Sequence, residues 1–205
     1  SSLNNYWVYE GRDNRIFTTD GWFVRPSVTL AGGPLGGDQS FYKFEFEAKH
    51  YHMVFDFGDQ KEHVLSHRLK LGYVDHFGDS DEVSIFQHFY AGGMGSVRGF
   101  ENGSLGPRDG GFEIGGRFQT VYNLEYSIPI NQRSIRGIMF WDTGNVFSGI
   151  TQFKAKELRS SVGFGLRLQI PALGQMPLAL DFAKPIRSQD GDDEEVFSFN
   201  FGNFF

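Results

Sequence analysis

The sequence predicts an all-β fold: an antiparallel transmembrane β-barrel of which about nine strands are present. Three observations lead there. Apolar and polar residues alternate with period two over long segments, the pattern of a sheet with two unlike faces. Those segments run to roughly 9–14 residues, against about 5–6 for a strand in a globular sheet, and about 9–11 tilted residues cross a bilayer. Short polar turns alternate with long loops, as in outer-membrane barrels. Composition agrees: the 205 residues include 23 Phe and 27 Gly, which favours strands and tight turns over helices. A soluble sandwich shows the same alternation, with one face buried and the other wet. Strand length decides for the membrane, with aromatics placed to join the interfacial girdles: Trp7, Trp22, Tyr126, Trp141 and Phe205.

A short first strand is expected near Asn5–Glu10, and Trp22–Leu30 follows the turn-like Gly11–Gly21. Phe41–Val54 sets Tyr42, Phe44, Phe46 and Ala48 against Lys43, Glu45, Glu47 and Lys49. Val64–Asp75 repeats the pattern, with Leu65, Leu69, Leu71 and Tyr73 opposite Ser66, Arg68, Lys70 and Gly72, and His67 interrupting the apolar face. Arg117–Ile128 is the clearest case: Phe118, Tyr122, Leu124, Tyr126 and Ile128 on one face, Arg117, Gln119, Asn123, Glu125 and Ser127 on the other. Ile135–Val146, Ser160–Ile170 and Leu178–Lys184 come next. The last strand, Val196–Phe205, puts Phe197, Phe199, Phe201 and Phe205 on one face against Ser198, Asn200 and Gly202.

Short turns fall at Asp56–Glu62, Pro129–Arg133 and Ala172–Gln175, and long connections at Ala31–Ser40, Phe77–Gly116, Phe147–Arg159 and Ile186–Glu195. If Phe205 ends on the periplasmic side, every long loop falls outside. Nine is an odd count, whereas single-chain bacterial barrels close with an even one. An open sheet edge in lipid leaves backbone groups unsatisfied. Residues 1–205 are therefore expected to be the C-terminal portion of a larger barrel, with a long loop at 77–116 and the missing strands preceding Ser1.

Other classes are disfavoured. The formal charge is −6 with scattered Lys and Arg, which argues against nucleic acid. There is no Cys, hence no disulfide framework or thiolate metal site. No apolar run approaches the roughly 18 residues of a membrane helix. His50 with His52, and His63 with His67, are weak metal pairs without an evident third ligand. The run Gly191–Glu195, GDDEE, reads as a solvated acidic loop. No Ser/His/acid set stands out, so neither an enzyme nor a cofactor is expected.

The run Gly92–Asp109, GGMGSVRGFENGSLGPRD, carries the functional signal. It holds six glycines and one proline around Arg98, so it orders only if the fold holds it. On spacing alone Arg98 is either a solvated loop charge or a handle. Its fixed charge and planar fork of donors suit carboxylates. Glu125 lies on the polar face of its strand, and Asp142 is an acid inside the apolar run MFWDTGNVF, where an unpaired charge is costly. Asp142 also reads as a turn acid before Thr143-Gly144-Asn145. If the loop folds back into the lumen, Arg98 meets Glu125, Asp142 or both. Lys70 is a lumen-facing charge outside that expectation.

Nearly the whole chain, in order, resembles the Omp85 outer-membrane barrel superfamily and its BamA branch. FYAGGMGSVRGFENGSLGPRD (Phe89–Asp109) resembles the sixth extracellular loop, with Val97-Arg98-Gly99-Phe100 at its centre. Gly115-Gly116 with NLEYSIP (Asn123–Pro129), FWDTGNVF (Phe140–Phe147), RSSVGFGLRLQIPALG (Arg159–Gly174) and LALDFAKPI (Leu178–Ile186) resemble the following strands. RDNRIFTTDGW (Arg12–Trp22) resembles a mid-barrel turn, and FSFNFGNFF the terminal strand. The resemblance implies a barrel of about 16 strands with N-terminal POTRA repeats outside this chain. It implies an arginine docked on the lumenal acids Glu125 and Asp142, and a terminal-strand signal and seam at Phe201, Gly202 and Phe205. The implied function is folding and inserting other barrel proteins in the bacterial outer membrane. The implied partners are unfolded barrel clients, the lipid bilayer and accessory lipoproteins of an assembly complex, and neither nucleic acid nor a cofactor is implied. A two-partner secretion transporter of the same superfamily and a passive porin are the alternatives. Two departures stand out: Arg117 replaces the usual Asn after Gly-Gly, adding a second lumenal cation that competes for Glu125, and the turn Pro171–Pro177 is one residue longer than usual.

Overall fold

The computed structural model describes residues 1–15, 18–37, 39–58, 62–78, 82–131, 134–169 and 177–201. Nine strands form one antiparallel sheet in chain order: β1 (Ser2–Tyr6), β2 (Gly21–Ala31), β3 (Phe41–Asp56), β4 (Glu62–His76), β5 (Phe118–Asn131), β6 (Ile135–Phe147), β7 (Arg159–Gln169), β8 (Pro177–Arg187) and β9 (Phe197–Phe201). The pair Tyr9–Glu10 adds to β2 beyond β1. The expected first strand is thus split at Trp7-Val8, although the Trp7 amide still donates to the Pro26 carbonyl at 3.1 Å. Most other limits extend the expected ones by one to three residues, because cross-strand pairing continues past the last alternating position: Arg187 still pairs with Ser160, and Asp56 with Glu62. Gly202 and Phe205, expected to complete the terminal strand, lie outside the described residues.

The sheet is inside-out relative to a soluble protein. Its outward face carries Trp22, Phe44, Met139, Trp141, Phe164, Phe182 and Phe199, each exposed. Its inward face buries Glu47, Ser66, Arg68, Asn123, Glu125, Arg136, Asp142, Ser161 and Asp181. A soluble sandwich has the reverse, because its apolar face must leave water. Only a lipid-facing wall with a polar lumen gives this distribution. Among the aromatics expected at the girdles, Trp7 and Trp22 are half exposed, and the Trp141 indole donates to Ser160 Oγ at 3.1 Å.

The apolar core lies inside the wall. Of the connection between β4 and β5, expected over 77–116, the segment Phe89–Leu105 folds into the lumen. There Phe89, Ala91, Val97, Phe100 and Leu105 pack against Phe41, Val74, Val121 and Val146 of the strands. Val97 and Phe100 are completely buried, and burying such side chains stabilises by about 1.5–3 kcal/mol each. The loop also makes backbone pairs of its own: Phe89 with Gly116, and Ala91 with Leu105.

Candidate functional site

Arg98 sits at the tip of this infolded loop with 3% of its surface exposed. Cross-strand register places its partners. Glu125 on β5 faces Phe140 on β6, which faces Gly163 on β7. Asp142 lies one inward-facing step along β6, beside Ser161, and Asp181 on β8 faces Gly165. The two glycines make the hollow that the others fill. A Cβ on Gly163 would stand 2.3 Å from the Phe140 ring, and one on Gly165 1.9 Å from an Asp181 oxygen. With no side chains on β7 here, the carboxylates and the ring lie flat against the wall, and the guanidinium settles on them.

The contacts use every part of the arginine. Nε donates to Asp142 Oδ2 at 2.6 Å and Nη2 to Asp142 Oδ1 at 2.8 Å, a bidentate fork. Nη1 donates to Glu125 Oε1 and, at 3.5 Å, to Asp181 Oδ2. The backbone amide of Arg98 adds a bond to Asp142 Oδ2 at 3.1 Å. The guanidinium carbon stands 3.5 Å over the Phe140 ring, a cation–π contact. Burial opposes the arginine's charge, but Asp142 and Glu125 outweigh it and raise its pKa above the ordinary value. The loop tip is therefore a permanent cation in an acidic socket.

Sequence reasoning brings together Arg98, Glu125 and Asp142, and the structure places all three in contact. It omitted Asp181 and Arg167. Arg167 Nη1 and Nη2 bind Asp181 at 2.6 and 3.1 Å, and Nη2 also reaches Glu125 Oε1 at 3.3 Å. The cluster is thus two arginines against three carboxylates. The signal for Asp181 was present, since LALDFAKPI sets an acid in an apolar run just as the segment around Asp142 does. Arg117 is corrected: it does not meet Glu125. It binds Asp75 at 2.6 Å and the Ser148 carbonyl at 2.9 Å, at the far end of β5.

Flanking bonds hold the rest of the motif. Asn123 Nδ2 donates to the Ser96 carbonyl at 2.6 Å, and Lys70 Nζ to the Gly95 carbonyl at 2.9 Å. Lys70 therefore belongs to the loop's docking surface and is not a bystander. Gly99 has φ +90°, and a Cβ there would stand 3.3 Å from Ser161, Ala183 and Pro185, so both backbone and space require glycine. Phe201 ends β9 opposite Leu178, with its side chain outward and exposed. An open recess of about 610 Å³ lies beside the loop on the inner face of β1–β4, bordered by Arg25, Glu45, Glu47, Lys70 and Phe89.

Among the described residues no group of three or more His, Asp or Glu side chains is placed to hold a metal ion. The expected histidine pairs lie on the outward face. His63 and His67 each spend Nδ1 on a tyrosine hydroxyl, Tyr126 at 2.8 Å and Tyr122 at 2.7 Å.

Long antiparallel strands with an apolar exterior, an ionic interior and an infolded, arginine-latched loop define a plugged membrane β-barrel wall. The chain belongs to the Omp85 superfamily: the model described as the Omp85 superfamily domain matches residues 1–205. It is 32% identical over 198 residues to the outer membrane protein assembly factor BamA of Nitratidesulfovibrio vulgaris, covering 94% of this chain and 24% of that protein. It is 31% identical over 209 residues to the sorting and assembly machinery component 50 homolog B of Xenopus laevis, covering 94% and 42%. The crystal structure of BamA from Haemophilus ducreyi lacking POTRA domains 1–3 superposes with a TM-score of 0.85 at 28% identity, covering 97% of this chain and 41% of that one. The chain spans about a quarter to two fifths of the length of these relatives.

Proposed function

We propose that this chain is the C-terminal portion of the barrel of an outer-membrane protein assembly factor, one that folds and inserts other β-barrel proteins. The observation that carries the reading is the match of the Omp85 model along residues 1–205, together with relatives named as assembly factors over 94% of the chain. In this reading the remaining strands, of about 16 in all, and the POTRA repeats belong to the rest of the protein. The clients are unfolded barrel proteins, accessory lipoproteins complete the complex, and the compartment is the bacterial outer membrane.

The mechanism rests on backbone chemistry. A strand entering hydrocarbon must satisfy its amides and carbonyls, and pairing with an exposed strand edge does so. Among the described residues β9 has one neighbour on the main path of the sheet, and in this reading its other side forms the closing seam of the barrel, where a client strand would add. Phe201 ends β9 at the edge that a client would meet, and Gly202 and Phe205 follow it in the sequence as the rest of the expected terminal signal. Arg98, docked on Glu125 and Asp142, holds the Val97–Phe100 loop and keeps the lumenal wall in register while that edge opens. No catalytic step and no cofactor enter this mechanism.

Depletion of the full-length protein in its host, followed by quantitative proteomics of the outer membrane, tests the reading. Simultaneous loss of many unrelated barrels is expected. Retention of the barrels with loss of one secreted polypeptide would instead identify a two-partner secretion transporter. Altered ion conductance with neither loss would identify a passive porin.

A further inference from the structure

The connection between β8 and β9, residues 188–196, reads in the sequence as a solvated acidic stretch. Apart from Asp192 it is indeed exposed, yet it is tied to the fold at defined points. Asp192 is buried against Arg159, the first residue of β7, with only 6% and 9% of the two side chains exposed. The pair is bidentate, Nε to Oδ2 and Nη2 to Oδ1, both at 2.9 Å. Asp192 Oδ2 also accepts the Gln189 amide at 2.7 Å, and the Asp192 amide donates back to the Gln189 carbonyl at 3.1 Å. Arg159 uses Nη1 on the Glu157 carbonyl at 2.8 Å. Asp192 thus ties the turn to the start of β7.

Immediately after that turn the chain meets the functional loop. The Asp193 carbonyl accepts the Glu101 amide at 2.9 Å. Glu194 and Glu195 pair antiparallel with Phe100 and Gly99, the two residues after Arg98. Arg108, from the far limb of the same loop, reaches Asp193 Oδ2 and the Gly191 carbonyl, both at 2.5 Å. One residue later the chain enters β9: the Val196 carbonyl accepts the Ala183 amide at 2.9 Å, and Phe197 pairs with Phe182.

We propose that residues 188–196 form a second latch on the Val97–Phe100 loop, with Arg159 and Asp192 as its positioning residues, so that pairing of the terminal strand and docking of Arg98 are mechanically coupled. Only Val196 separates the strand pair on Gly99 from the first residue of β9. One extended residue spans about 3.3–3.6 Å, so a larger displacement of β9 must pull Glu195 off Gly99. Gly99 in turn is bonded directly to Arg98, whose own amide is held by Asp142. The first latch is the lumenal arginine. The second reports the state of the edge strand to it. This inference rests on the proposed function for its purpose, but not for its geometry.

The test is hydrogen exchange of the loop amides over residues 93–105 in the full-length membrane-embedded protein, measured beside assembly of client barrels. Asp192→Ala is expected to speed exchange about tenfold or more, because the loop then opens more often, and to lower client assembly. The charge-swapped pair Arg159→Asp with Asp192→Arg is expected to restore most of the slow exchange. A disulfide formed from Glu101→Cys and Asp193→Cys in the Asp192→Ala background is expected to restore it as well, since it replaces the latch without the ion pair. Unchanged exchange in Asp192→Ala overturns the proposal, as does fast exchange that the disulfide does not slow. Heat-modifiable gel mobility identifies variants that fail to fold, and Asp192→Asn then takes the place of Asp192→Ala. Fast exchange with normal client levels leaves the latch standing and removes its role in assembly, while the assembly reading itself stands or falls on the depletion experiment. Lost assembly with unchanged exchange overturns the latch.

Discussion

Replacing Arg98 by alanine tests the lumenal cluster most directly. Asp142 is completely buried, and among the described residues its only ion-pair partner is Arg98. Glu125 and Asp181 keep Arg167, at 3.3 and 2.6 Å. The loss therefore falls on Asp142, which keeps the backbone amide of residue 98 but loses its cation. Removing one partner of a buried pair costs about 3–5 kcal/mol, which is roughly a hundred- to several-thousand-fold in the ratio of docked to undocked loop. The readout is hydrogen exchange over residues 93–105, where the Gly93, Ser96 and Leu105 amides bond within the docked loop at 2.9–3.1 Å. Protection there is expected to collapse while the strand amides of β4–β6 stay slow. Adding Asp142→Asn to Arg98→Ala removes the stranded charge and should recover about 1–3 kcal/mol, a coupling typical of contacting residues. Arg98→Lys keeps the charge but not the fork, and should fall between. Undiminished protection in Arg98→Ala would refute the reasoning, because it would mean that the apolar contacts of Val97 and Phe100 hold the loop alone.

Three further outcomes are expected from the same geometry. Arg167→Met and Asp181→Leu should each destabilise the barrel by about 3–5 kcal/mol, yet together cost clearly less than their sum, measured as urea unfolding in liposomes. Gly99→Ala should weaken loop docking by about 1–3 kcal/mol, since alanine resists the φ of +90° and its Cβ meets Ser161, Ala183 and Pro185; faster exchange over residues 97–101 would register it. Phe164→Arg, on the exposed outward face of β7, should cost about 2–4 kcal/mol if it lies near the bilayer midplane, and unchanged unfolding in liposomes would contradict the inside-out assignment.

Much of the fold was legible because the strand period is two and the faces differ. Once Tyr122, Leu124 and Tyr126 are read against Asn123 and Glu125, the wall's two sides emerge without three-dimensional information. The contrast between Arg117 and Arg167 shows where that reading stops. Both sit at positions that alternation assigns to the lumen. Only register decides that one stands beside Asp75 and Ser148 at the end of β5 while the other stands beside Asp181 and Glu125. Alternation fixes a side chain's face but not its height against strands two or three places away. The same limit hid Asp181, whose importance depends on Gly165 opposite it making room for the carboxylate. The acidic run Gly191–Glu195 is exposed, as its composition suggests, except for Asp192, and what composition could not show is that the run is tied to the fold. Composition measures a segment's taste for water, and its partners Arg159 and Arg108 come from elsewhere in the chain.

The loop also shows why an ionic latch suits a lumen. Buried ion pairs add little net stability compared with apolar packing of the same volume, because both ions must be stripped of water. The apolar contacts of Val97, Phe100 and Leu105 can supply the stabilisation, but such contacts are non-directional and tolerate sliding. The fork of Arg98 does not slide. It meets both oxygens of Asp142 in one orientation only, with Glu125 and Phe140 fixing the third direction. A glycine-rich loop with a greasy anchor alone would dock as an ensemble. With the arginine it docks in one register, and that register brings Gly99 and Phe100 alongside Glu195 and Glu194. The cost of burying the charges is thus borne by the packing around them, and what it secures is a defined position from which movement of the neighbouring edge strand can be felt.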